Sequence, residues 1–420
     1  MATDVDVQFF SHLNGLTLGN NWGDLIRLLD KALVSGIDFN QITAASIDPQ
    51  GDVHITLYAV HNAMLFQVVE LSGFAPSSLN QKYRIKGVPS TTELILKPQT
   101  VITETVITVT GAGKLGSLGY EIIFRDTNDV KRVYRAKNPT SQHPFIRVDE
   151  TLSDGVNTYT STYGKFAMVG LLENMTHIDD YNNTNVLQLP FDPSNPTKNW
   201  KITGTGTTVI RGWSKWYWSL GVDWASNSFI TEATTASAAN KPFTLIGDED
   251  AFYMLRSTAS DTRYKGLIGC GITNTTYNSQ PTQLWFLMSM LKETNANTVT
   301  NSGSPGGLPL VISEANSKFY IPQMNVLYGA HSVATPILPD FSSGNTTKYA
   351  STNLPALEIP FYDDAAFLRG SLKHIYYAGK VLNITYTTPL LSDNSMYVAD
   401  CSTGVANSAS GFYFYLGELE

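Results

Sequence analysis

Hydrophobic positions change their period along the chain. Trp22, Leu25, Ile26, Leu29 and Leu33 recur at helical spacing. The spacing predicts an amphipathic helix with Asn20 or Asn21 as its N-cap and Gly36 as its stop. Asp24 in the first turn and Lys31 near the last suit the helix dipole. From about residue 40 the period becomes two. Val53, Ile55 and Leu57 alternate with His54 and Thr56, and Tyr83-Arg84-Ile85-Lys86 alternates again. Pro89-Ser-Thr-Thr92 reads as a turn into Glu93–Leu96. Residues 100–110, almost entirely β-branched, read as the clearest strand of all.

Further short strands are expected at Tyr120–Phe124, Phe145–Val148, Phe252–Leu255, His374–Ala378, Val381–Tyr386 and Phe412–Leu416. A short helix is expected over Thr282–Leu291, and a glycine-rich loop over Asn301–Pro309. The fold class that follows is mainly β: several antiparallel domains of the small barrel or sandwich kind, behind an N-terminal amphipathic helix. The expected divisions are an arm and helix (1–38), a small β-domain (39–110), an aromatic-rich β-domain (111–270) and a C-terminal β-rich domain (271–420).

Composition narrows the function. The 420 residues include only 15% charged side chains and carry a net charge of −8. No run of Lys and Arg offers a surface to nucleic acid; Lys82, Arg84 and Lys86 at most line one edge of a strand. The start, MATDVDVQFF, lacks the basic and apolar regions of a secretory signal, and no apolar run reaches membrane-spanning length. A soluble chain made in a cytoplasm is expected, with no membrane insertion. The Asn-x-Ser/Thr triplets then reflect composition rather than glycosylation. Cys270 and Cys401 lie too far apart in sequence for metal-ligand spacing and are either two free thiols or one disulfide.

Several stretches invite a chemical reading and favour a structural one. Gly111-Ala-Gly-Lys-Leu-Gly116 matches GxGxxG, but the residues after it read as a strand where a dinucleotide site needs a helix. A glycine-rich β-turn is expected there. Asp179-Asp180, Asp248-Glu249-Asp250 and Asp363-Asp364 are adjacent carboxylates, poor partners across a glycoside bond. No zinc-protease, nucleophile-elbow or metal pattern occurs among the histidines and serines. His374, inside an apolar strand, reads as a satisfied core residue. No catalytic, cofactor-binding or metal-binding residues are therefore assigned. Gly247 is expected to make a tight turn, with Asp248 accepting nearby backbone amides. Trp216 and Trp218 share one strand face within a cluster that includes Trp213 and Trp224, and form a candidate aromatic surface for a glycan. The arm before the helix is apolar; Phe9, Phe10 and Leu13 are its candidate interface residues, set to order against a neighbouring subunit or another protein, the alternative being that the arm packs back on its own β-domain.

The chain resembles a family of about 400-residue tail and virion-morphogenesis proteins of tailed bacteriophages and prophages. The likeness rests on the helix end Asp30–Ile37, on Tyr134-Arg-Ala-Lys-Asn-Pro139, Ile146–Thr151 and Met175–Asp180, and most of all on Lys241-Pro-Phe-Thr-Leu-Ile-Gly-Asp248 with Phe252-Tyr253. Phe367-Leu-Arg-Gly-Ser-Leu372 adds a later element. Residues 53–96 separately resemble a small β-module of phage tail proteins, with His61, Gly73, Asn80 and Pro89–Thr92 in its characteristic places. Asn62-Ala-Met-Leu65 replaces that module's glycine-rich turn. The resemblance implies a structural, non-enzymatic role in the virion, with no cofactor. Its partners would be other virion proteins and copies of this chain in a symmetric homo-oligomer. A tail position is expected, at the tube end, collar or baseplate. The alternatives are a receptor- or glycan-binding tail protein, with a host-surface glycan as partner, and a capsid decoration protein.

Overall fold

The computed structural model describes residues 5–151, 164–190, 199–200, 202–203, 210–211, 214–221, 235–260, 262–275, 283–291, 319–323, 331–336, 357–378, 384–403 and 410–419. Among them the chain is mainly β, in antiparallel sheets. Sheet I runs Ile37–Asp38, Ala112–Leu115, Val68–Ser72, Lys82–Ser90, Glu93–Pro98, Val53–Leu57, Ile42–Ile47. Sheet II runs Gln188–Leu189, Lys165–Leu172, Phe145–Asp149, Lys131–Ala136, Tyr120–Arg125, with Ser214–Ser219 also paired to Lys165–Leu172. Sheet III opens with the N-terminal arm: Gln8–Ser11, Phe243–Gly247, Ala251–Arg256, Gly266–Ile272, Trp285–Leu291, Phe319–Pro322, His331–Val333. Sheet IV is built on Leu357–Tyr362, Leu368–Tyr377, Ser410–Glu418, Ser395–Thr403 and Thr388–Ser392, with Thr335–Pro336 at its edge and Asn274–Thr275 also on Leu368–Tyr377.

Strand alternation makes sheet III the central layer. Leu245, Phe252, Met254, Ile268, Cys270 and Leu287 face a core shared with sheets I and II. Their neighbours Ile246, Tyr253, Leu255, Leu267, Phe286 and Met288 face a second core shared with sheet IV. A sheet buried on both faces needs apolar residues at every position, so its strands lose the alternating signature. This explains Thr282–Leu291, expected as a helix: Trp285–Leu291 is a strand paired with Gly266–Ile272. A continuous apolar run carries no period by which helix and strand differ.

Further expectations are corrected. The helix is a six-residue α-helix, Asp24–Leu29, continued by a π-turn over Asp30–Ser35. Leu25, Ile26, Leu28, Leu29, Ala32 and Leu33 are buried, whereas Arg27, Lys31 and Ser35 are exposed. Neither Asn20 nor Asn21 caps it: its first turn is held by Glu150, just after the Phe145–Asp149 strand of sheet II, whose carboxyl oxygens accept Gly23 N–H and Ile26 N–H. Residues 101–107 form no ladder strand. Gly111–Gly116 is not a turn, because Ala112–Leu115 is a strand of sheet I; a Cβ on Gly111 would lie 2.0 Å from Ser72 O, so glycine there serves close packing. Arg84 does not line an edge. It is fully buried and donates to the carbonyls of Val7, Phe66 and Leu416, tying the arm to sheets I and IV. In the expected strand at 381–386, residues 384–386 are not in a strand and the rest lies outside the described residues, as does the loop at 301–309.

Candidate functional site

A group of ionisable side chains sits where sheet III meets sheets II and IV, at the turn between Phe243–Gly247 and Ala251–Arg256. Gly247 closes that turn, and a Cβ on it would stand 2.1 Å from Ala251 O. Asp248 then folds over the turn. Its backbone N–H donates to Ala251 O at 3.0 Å, and its Oδ1 accepts Asp250 N–H at 2.9 Å and Ala251 N–H at 3.0 Å. This is the arrangement that the Gly-Asp pair predicts.

The outward carboxylate oxygens reach other sheets. Asp248 Oδ2 lies 2.7 Å from His374 Nε2. Asp250 Oδ1 lies 2.9 Å from His143 Nε2, and its Oδ2 accepts from Lys373 Nζ. Thr140 N–H donates to His143 Nδ1 at 2.9 Å, so that nitrogen is an acceptor and Nε2 carries the proton toward Asp250. Lys373 and His374 are sequence neighbours, and adjacent strand residues ordinarily point to opposite faces. Here His374 has φ +60°, and the register of Leu368–Tyr377 against Leu357–Tyr362 slips between Glu358 and Pro360. The bulge turns both side chains toward the same hairpin.

Electrostatics follow the geometry. The hydrogen bond from His143, reinforced by Lys373 against the opposing effect of burial, holds the Asp250 carboxyl well below the usual carboxylate range. Burial works against ionisation of Asp248, but His374, Lys373 and the Ala251 amide outweigh it and lower its pKa. A cleft of about 810 Å³ opens beside the turn, with Asp248, Glu249, Asp250, Lys114, Lys137 and Asn138 among its walls. Asn138 donates to Glu249 at 3.3 Å. The carboxylates thus accept, and the imidazoles, ammonium and amides donate, in a junction that braces three sheets. Among the described residues no group of three or more His, Cys, Asp and Glu is placed to hold a metal ion.

The sites expected from sequence fall elsewhere. Phe9 and Phe10 are fully buried in the chain's own cores, in a strand paired Phe9 to Ile246 and Phe10 to Leu245, so neither side chain is left for a neighbour. Leu13 stays 43% exposed on the turn that follows. Trp216 and Trp218 form no surface: both are fully buried, Trp216 donating to Met288 O at 2.8 Å and Trp218 packing edge-on against Trp22. Trp213 and Trp224 lie outside the described residues. Cys270 and Cys401 are both buried, and they are not joined in a disulfide. His143, Lys373 and Glu150 carry no sequence signal, since each works on a partner more than 100 positions away. Among the described residues no helix is long and apolar enough to cross a membrane. No protein-family model matches the chain, and no curated protein matches it.

Proposed function

We propose that this protein is a non-enzymatic structural component of a tailed-phage virion, tail-associated, acting through protein–protein interfaces. One observation supports the reading: the polar residues of the blocks that carry the phage resemblance are braces. Tyr134 donates to Asp30 at 2.7 Å, joining sheet II to the helical turn. Arg147 lies within 2.8 Å of Asp149 and donates to Ile178 O. Glu150 caps the helix, and Asp180 accepts the backbone of Thr176 and His177. Lys241 donates to Gly19 O and Ser237 O. Asp248 joins sheet III to sheet IV, and Arg369 pairs with Asp363 at 3.1 Å. A sequence signature spent on internal bracing suits a part that must hold shape under load. The glycan-binding alternative loses its motive with the burial of Trp216 and Trp218.

The test is particle composition. Mass spectrometry of gradient-purified particles should find the chain at a fixed stoichiometry, and antibody-gold should mark one tail position. Its absence from purified particles would sink the proposal, and uniform labelling of heads would transfer it to capsid decoration.

A further inference from the structure

The segment richest in strand-forming residues makes no strand. Residues 100–110 contain Thr-Val-Ile-Thr twice, at 100–103 and at 105–108, separated by Glu104. Among the described residues no backbone group of residues 101–107 bonds to another backbone group, although both flanks are anchored: Gln99 N–H donates to Lys82 O at 3.0 Å and Thr108 N–H to Ala75 O at 2.9 Å. Val101, Val106 and Val109 are 83%, 64% and 52% exposed. Ile102 is buried, and Ile107 packs against the same core. These isoleucines lie five positions apart, so a regular strand would put them on opposite faces. Both pack against the core, so the facing slips between the two repeats. A β-branched segment with open backbone groups is a conflict between local preference and the single chain, of the kind expected where a partner completes the structure.

We propose that residues 101–107 are an open strand that a second copy of this chain completes, the two segments adding to one another antiparallel, while Thr100 stays held by Gln81 and Val109 by Ala75. The repeat makes the segment self-complementary. With inward Ile102 opposite the partner copy's Ile107, Thr103 falls opposite Val106, so each first repeat meets the other's second. Such an odd pairing sum about a two-fold axis requires one slip of facing in each strand, which the burial pattern supplies between the repeats. Charge agrees: Glu104 is the only charged residue in the segment, and this register sets it opposite Thr105 rather than a second Glu104. Two such strands, about 20 Å long in a layer about 10 Å thick, bury roughly 400 Å² in total. Stable complexes need about 1,200–2,000 Å², so association is weak and rises with concentration. Each copy carries a net charge of −8, so added salt strengthens it by screening the repulsion.

Sedimentation velocity across a concentration series, at low and high salt, reads this directly. The dimer fraction should rise with both. Thr105→Pro removes a strand donor where the single chain uses none, so the melting temperature should hold while the association constant falls at least tenfold. The double variant Thr103→Cys/Val106→Cys should give disulfide-linked dimers under mild oxidation. Within one extended chain those positions are about 10 Å apart, beyond disulfide reach, and Cys270 and Cys401 are buried. A monomer at every concentration and salt, a dimer unchanged by Thr105→Pro, or cross-linking no greater than in the parent chain would each overturn the proposal. Virion incorporation is a separate readout: a monomer that enters particles defeats only the strand pairing, and a dimer absent from them defeats only the virion reading.

Discussion

Replacing Asp248 by alanine removes three acceptor contacts at once. Two are turn amides, Asp250 N–H and Ala251 N–H, and the third is His374 at 2.7 Å. Hydrogen bonds to a charged group contribute about 1.5–3 kcal/mol each. The side chain is 17% exposed, so water replaces part of that loss at the amides. His374 meanwhile keeps its left-handed backbone without the contact that offsets it. The net cost expected is about 2–4 kcal/mol. At about 2.1 cal/mol/K per residue, unfolding all 420 residues together carries an entropy near 0.9 kcal/mol/K, so the melting temperature should fall by about 2–5 °C. The drop is larger if sheets III and IV separate before the rest unfolds. The pH dependence gives a second check. The folded-state pKa of Asp248 is lowered, so its stabilisation is fully present above the unfolded value near 3.9 and is lost as pH falls through the folded value. The gap between parent and variant should therefore be constant at pH 5–7 and shrink below pH 4. Calorimetry at pH 3, 4, 5 and 7 measures both effects. An unchanged melting temperature at pH 7, or a gap that persists undiminished at pH 3, would refute the bracing role.

Three other substitutions probe separate parts of the structure. Glu150 is buried and its pKa is raised to about 8, so the folded state holds a proton that the unfolded chain gives up near 4.5; stability should fall as pH rises between those values, and Glu150→Gln should flatten that slope in denaturant titrations. His374→Gly relieves the left-handed backbone that His374→Ala retains, so the glycine variant should be the more stable of the two by about 1 kcal/mol; equal stabilities would show that the bulge relaxes on its own. Phe10→Ala should cost the isolated chain about 3–5 kcal/mol, as for a core residue, whereas an interface residue would leave the melting temperature of the isolated chain near the parent value.

The Gly247-Asp248 turn and the alternating strand at Val53–Leu57 were legible because their causes are local: glycine tolerates the close approach, aspartate reaches amides two and three residues on, and a half-buried strand alternates. The mainly β class was legible for the same reason. Local rules failed where tertiary packing decides. Trp285–Leu291 is a strand because two cores claim its two faces, and residues 101–107 are not in a ladder because Ile102 and Ile107 share one core across an odd spacing. The junction itself was out of reach. Asp248 and His374 stand 126 positions apart, and only the bulge at His374 brings Lys373 and His374 onto one hairpin. The arm was misread for a related reason: an apolar chain end must be covered, but only the register of Phe9 and Phe10 on Ile246 and Leu245 decides that the chain covers it by itself.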